Sequence, residues 1–129
     1  MVGIVIVSHS CKLAEGAAEL AKMMSAEDAP IVAAGGLEDG SMGTSFDKIC
    51  AAVDSVYSED GVAILMDMGS AVMTAEMVIE AMEDRHIVLL DGPLAEGAVV
   101  AAVEAKLGSS LEVIARRVEE ARLVRKLKN

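Results

Sequence analysis

Four short apolar runs, at residues 2–7, 31–34, 62–66 and 87–90, are free of polar breaks and rich in Val, Ile and Leu. Such runs read as strands buried on both faces of a parallel sheet. Stretches with apolar residues at helical spacing separate them, over 12–26, about 45–57 and about 70–83. Two more follow the last run, at about 94–107 and 110–127, divided at Gly108 and opened by Ser109 or Ser110 as N-caps. The alternation β-α-β-α-β-α-β-α-α predicts an α/β fold with right-handed crossovers. That is an open, doubly wound, mainly parallel sheet of four strands with helices on both faces. Its simplest strand order is 2-1-3-4, which makes strands one and three neighbours. Their first connections leave toward opposite faces and open a crevice at the strands' carboxyl ends.

Two polar segments sit at that crevice. Ser8-His9-Ser10 follows the first strand, and Asp67-Met68-Gly69-Ser70 follows the third. Imidazole is a competent nucleophile toward phosphorus and can hold a phosphoryl group as a labile phosphoramidate. A carboxylate beside it accepts the hydrogen of one ring nitrogen, fixes the tautomer and turns the other nitrogen outward. Asp67 also reads as the N-cap of the helix it precedes, and both roles are compatible. Ser8 and Ser10 are able to hydrogen-bond a phosphoryl group or to satisfy the loop backbone. The Gly-rich loop from Gly35 to Ser45 precedes a helix capped by Thr44 or Ser45. Its glycines let backbone N–H groups approach an anion. It lacks the Lys-Ser/Thr pair of a nucleotide-binding P-loop, and no Gly-x-Gly-x-x-Gly follows the first strand.

Composition removes several function classes. The net charge is −10, with 4 basic against 18 acidic side chains in residues 1–105 and 7 against 3 in residues 106–129. An acidic body argues against nucleic acid as a partner. The basic tail, interleaved with Glu112, Glu119 and Glu120, reads as a solvated helix face. No apolar run approaches the roughly 20 residues that span a bilayer, so no membrane insertion is expected. No basic segment precedes the first strand as a signal peptide requires, and the two cysteines, Cys11 and Cys50, are too few for a disulfide scaffold. A cytoplasmic protein of one domain, residues 1–129, is the expectation. The two histidines, His9 and His86, have no ligand-spaced partners for a metal. The nine methionines promise soft packing and, in part, a contact surface.

Four ordered segments are specific together. Val7-Ser8-His9-Ser10, Gly35-Gly36 through Gly43-Thr44-Ser45, Asp67-Met68-Gly69-Ser70-Ala71 and Pro93-Leu94-Ala95-Glu96-Gly97 resemble the phosphotransfer subunit of phosphotransferase-system-dependent dihydroxyacetone kinases. That subunit is similar in turn to the mannose-family enzyme IIA domains. The resemblance runs to about residue 105. It implies an enzyme component that takes phosphate from the histidine phosphocarrier protein HPr and passes it to ADP. The ADP resides in the kinase's nucleotide-binding subunit, so no cofactor is expected on this chain itself. By the same match His9 is the phosphorylated residue, Asp67 orients it, and Ser10, Gly43, Thr44, Gly69 and Ser70 are candidate phosphate contacts. The resemblance further implies a homodimer, with the helix surface at Met73 and Met77 as one contact. Larger members carry additional carrier-like domains, and none follows here, so separate donor proteins are expected.

Three rivals remain at this stage. A mannose-type sugar-transport enzyme IIA shares the chemistry but has a different acceptor. A hydrolase of the histidine-phosphatase kind requires Arg after the histidine, where this chain has Ser10. A receiver-like domain takes phosphate on Asp67 instead.

Overall fold

The computed structural model of the chain describes residues 1–128. Its elements run β1 (Gly3–Ser8), α1 (Cys11–Met23), β2 (Ile31–Gly35), α2 (Phe46–Val56), β3 (Val62–Met66), α3 (Ser70–Ala81), β4 (Ile87–Leu90), α4 (Leu94–Lys106) and α5 (Leu111–Glu120). A 3-10 turn at Ala121–Leu123 follows. The four strands form one parallel sheet in the order β2-β1-β3-β4, as the alternation of runs predicts.

Strand alternation divides the core in two. Ile4 and Ile6 of β1, with Ala63 and Leu65 of β3, face α1, α4 and α5. Val5, Val7, Val62 and Ile64 face α2 and α3. Each fully buried Val, Ile or Leu contributes about 1.5–3 kcal/mol relative to exposure, which is why the central strands carry no polar side chain before Ser8. The first layer is built on small residues. Ala14, Ala17, Ala18 and Ala21 of α1 are buried with Ala98, Ala101, Ala102 and Ala105 of α4. With so little side chain between them, α1 and α4 pack closely over the sheet. A Cβ on Gly35 would sit 2.6 Å from the Ser10 carbonyl oxygen and 2.7 Å from Ala14 Cβ. The end of β2 thus lies directly against the start of α1, and only glycine fits.

The helix expected over 110–127 is shorter. Its α-helical part stops at Glu120, and after the 3-10 turn Val124 is extended. The buried stripe Leu111, Ile114 and Val118 supports α5, whereas Leu123, Val124 and Leu127 are each 76% exposed. Beyond Val118 the apolar residues of the tail stay exposed, so burial no longer offsets the entropy of extending the helix. The basic tail instead folds back on acidic residues: Arg122 pairs with Asp91 at 2.8 Å and Lys126 with Glu96 at 3.1 Å. Among the described residues no helix is long and apolar enough to cross a membrane.

Candidate active site

β1 and β3 run in register, Val7 beside Met66, so the residues that leave their carboxyl ends are adjacent. The Asp67 N–H donates to the Val7 carbonyl at 3.1 Å, which extends the strand pairing one step and fixes Asp67 next to the loop of His9. This is the crevice expected where the first crossovers diverge.

Asp67 is the hub. Its Oδ2 accepts from the buried Ser8 hydroxyl at 2.9 Å and from the His9 backbone N–H at 3.0 Å. Its Oδ1 accepts from the Met68 N–H at 2.7 Å and lies 3.0 Å from His9 Nδ1. Burial pushes the Asp67 carboxyl up, but the His9 N–H, the Ser8 hydroxyl, the His9 ring and the Met68 N–H together outweigh it and hold the group below its ordinary value. The ionised carboxylate only accepts, so Nδ1 must carry the ring hydrogen in the neutral imidazole. The lone pair is then on Nε2, where the Ser70 hydroxyl, 2.7 Å away, donates to it. The His9 side chain is 24% exposed and Asp67 12%, so the ring edge bearing Nε2 is reachable while its carboxylate is shielded.

The surrounding loops are tied to the same point. Ser8 Oγ also accepts the Ser10 N–H at 2.9 Å, making Ser8 a brace between Asp67 and the loop backbone. Ser10 is the N-cap of α1, its Oγ accepting from Leu13 N–H at 3.2 Å. The Gly43 N–H donates to the His9 carbonyl at 2.9 Å, so that donor positions the histidine loop and is not available to an anion. Thr44 Oγ1 lies 3.1 Å from Thr74 Oγ1, and Thr74 donates to the Ser70 carbonyl at 2.9 Å. Thr74 is a site residue that sequence reasoning missed; its spacing of one helical turn from Ser70 was the available signal. Ser45 caps α2, accepting from Lys48 N–H at 3.1 Å, and donates to Glu38 at 2.5 Å.

Asp67 is not the N-cap of α3. That position belongs to Gly69, whose φ of +39° and ψ of −105° suit glycine far better than any other residue. The kink at Gly69 turns the chain from β3 into α3 and brings Ser70 over His9. The N–H groups of Gly69 and Ser70, at the start of α3, have no acceptor among the described residues. Of the residues read as a site, His9, Asp67, Ser70 and Gly69 converge. Thr44, Gly43 and Ser10 stand one contact away, supporting the loops. His86 lies at the other end of β4, 3.2 Å from Glu112, with no contact to this cluster.

A model of the family described as PTS system fructose IIA component matches residues 3–115. The chain is 39% identical over 117 residues to the phosphoryl donor subunit DhaM of PEP-dependent dihydroxyacetone kinase 1 from Listeria innocua, covering 91% of this chain and 92% of that protein. It is 38% identical over 120 residues to the Escherichia coli DhaM, covering 88% of this chain but only 25% of that longer protein. Among solved structures, a crystal structure described as the unknown function protein EF1359 superimposes with a TM-score of 0.81 at 32% identity, covering 92% of this chain and 93% of that one. The chain therefore belongs to the PTS fructose IIA component family, among the dihydroxyacetone kinase phosphoryl donor subunits.

Proposed function

We propose that this protein is the phosphohistidine relay of a phosphoenolpyruvate-dependent dihydroxyacetone kinase. His9 takes a phosphoryl group from HPr and passes it to ADP held in the kinase's nucleotide-binding subunit. The observation that carries this reading is the pairing of His9 Nδ1 with the ionised Asp67, which leaves Nε2 as the outward nucleophile. The match to the Listeria donor subunit, over 91% of this chain and 92% of that protein, supports the acceptor assignment over a sugar transporter.

In the forward step the Nε2 lone pair attacks phosphorus in line with the departing nitrogen of the donor. The new N–P bond forms as the donor's N–P bond breaks. The His9 ring becomes cationic, and Asp67, already ionised, offsets that charge without taking the proton. Ser70 must give up its bond to Nε2, after which its hydroxyl is free to donate to a phosphoryl oxygen. The unpaired N–H groups of Gly69 and Ser70 offer further donors at the positive end of α3. Transfer to ADP reverses these events: an oxygen of its terminal phosphate attacks phosphorus and the electron pair returns to Nε2. Phosphoryl transfer asks mainly for positioning and charge stabilisation, so a shallow site that two proteins visit in turn suffices.

The test is phosphorylation from phosphoenolpyruvate with the general carrier proteins, followed by peptide mapping. A base-stable, acid-labile phosphate on the His9 peptide, passed to ADP only with the nucleotide-binding subunit present, is expected. Label on Asp67 or on no residue, or delivery only to a transporter domain, overturns the reading.

A further inference from the structure

The helix that carries Ser70 has no side chain capping its start. Gly69 holds the N-cap of α3 and makes no side-chain hydrogen bond there, whereas Ser10, Ser45 and Ser110 cap α1, α2 and α5. The first turn of α3 is tied down from the side instead. Thr74 Oγ1 donates to the Ser70 carbonyl at 2.9 Å, one turn back along the helix. A hydroxyl has a single hydrogen, so at the 3.1 Å contact between the two threonines Thr74 accepts and Thr44 donates. The bonds therefore run in one direction, from Thr44 through Thr74 to the Ser70 backbone.

Thr44 is itself held on both sides. The preceding Gly43 N–H donates to the His9 carbonyl at 2.9 Å, and the following Ser45 caps α2, its hydroxyl accepting the Lys48 N–H at 3.1 Å. The Gly-rich loop thus grips both halves of the site, the histidine loop through Gly43 and the start of α3 through Thr44. Ser70 Oγ stands 2.7 Å from Nε2, and in-line attack tolerates little displacement of the groups around the reacting nitrogen. We infer that Thr74 is a positioning residue for phosphoryl transfer, which with Thr44 as its anchor holds Ser70 over His9. Its hydroxyl bonds to Thr44 and to the Ser70 backbone, not to the ring, so it acts through Ser70. The inference rests on the relay reading. As phosphorus reaches Nε2, the Ser70 hydroxyl need only turn about its own side-chain bond, from nitrogen to a phosphoryl oxygen, because the backbone that bears it stays fixed.

The experiment measures single-turnover phosphorylation of the wild type, Thr74→Val, Thr44→Val, Thr74→Ser, Ser70→Ala and the Ser70→Ala/Thr74→Val double variant. Phosphorylated HPr is the donor, with phosphoramidate in parallel as a small donor that needs no docking. Valine keeps the branched shape but neither donates nor accepts, whereas serine keeps the hydroxyl. Each valine variant should lower the maximal rate about three- to tenfold, the worth of one neutral hydrogen bond, with KM for HPr little changed. The loss should be equal with phosphoramidate, and Thr74→Ser should restore the rate. In the Ser70→Ala background Thr74→Val should cost nothing further, because the two residues act as one unit. Both threonines are half-buried, so thermal unfolding of the valine variants should stay near the wild type. If Thr74→Val does not fold, Thr44→Val carries the same test from the other end of the bridge. A maximal rate that valine leaves unchanged, additive losses in the double variant, a loss seen with HPr alone, or no rescue by serine overturns the positioning role and leaves the His9 relay intact. Failure of the wild type to accept phosphate from either donor sinks the relay reading itself.

Discussion

Asp67 holds His9 by two handles, accepting the backbone N–H at 3.0 Å through Oδ2 and facing ring Nδ1 at 3.0 Å through Oδ1. The backbone contact fixes where the histidine starts, and the ring contact fixes where it points. Both arise from the parallel pairing of β1 with β3, since Asp67 is simply the next residue after the last registered pair. One carboxylate therefore sets position, tautomer and charge together. The buried Ser8 hydroxyl keeps that carboxylate from swinging away.

His9→Ala should abolish phosphate acceptance and leave the fold standing. The side chain is partly exposed and sits in a loop, so its removal costs on the order of 1 kcal/mol, the worth of a typical hydrogen bond. Ser8 and two backbone N–H groups still satisfy Asp67. His86→Ala, whose side chain pairs with Glu112 away from the site, should transfer phosphate at the wild-type rate. Labelling from phosphorylated carrier, with thermal unfolding of each variant alongside, separates chemistry from folding. A folded His9→Ala protein that still takes up label removes His9 from the mechanism.

The sheet was legible because each central strand is apolar throughout, a pattern that only burial on both faces explains. Helix starts were legible where serine caps them, as Ser45 and Ser110 do, whereas the Ser10 cap of α1 was not read from the sequence. The adjacency of His9 and Asp67 followed from strand order alone. Ser8 remained ambiguous because a hydroxyl at a strand end looks the same whether it braces a carboxylate or faces solvent. Thr74 was missed despite its one-turn spacing from Ser70, because its partner, Thr44, is 30 residues away at the end of the Gly-rich loop. The end of α5 was misjudged for a related reason. Spaced apolar residues continue to Leu127, but periodicity does not say whether a surface is there to receive them.

Gly69→Ala should destabilise the protein by about 1–3 kcal/mol, the cost of holding a residue with a side chain in a sparsely allowed conformation. Space is not the obstacle, since an added Cβ meets no atom within 4 Å. The strain lies in the backbone, and relieving it would displace Ser70 from Nε2. Denaturant unfolding should show the loss, and phosphate acceptance should fall more than stability alone accounts for. A variant as stable as the wild type would mean that the turn tolerates another conformation.

A homodimer is the expected solution state. A stable interface buries on the order of 1,200–2,000 Å² in total. Sedimentation at micromolar concentration should give twice the mass of the chain. A monomer across that range overturns the homodimer expectation.

Asp67→Asn should keep the fold and slow transfer. An amide still reaches the ring, but it brings no negative charge to offset the cation formed at Nε2. Its N–H₂ can also donate to Nδ1, which favours the wrong tautomer. Losing one charge-assisted hydrogen bond is worth roughly 1.5–3 kcal/mol, which predicts a rate about ten- to a hundredfold lower in single-turnover transfer. Stability has its own signature. The folded carboxyl of Asp67 is held below its ordinary value, so its stabilisation is fully present above the unfolded value of about 3.9 and is lost as pH falls through the lower folded one. The difference in unfolding free energy between wild type and Asp67→Asn should shrink as pH falls below about 4. Transfer at the wild-type rate, with a large and pH-independent loss of stability, would reduce Asp67 to a structural brace.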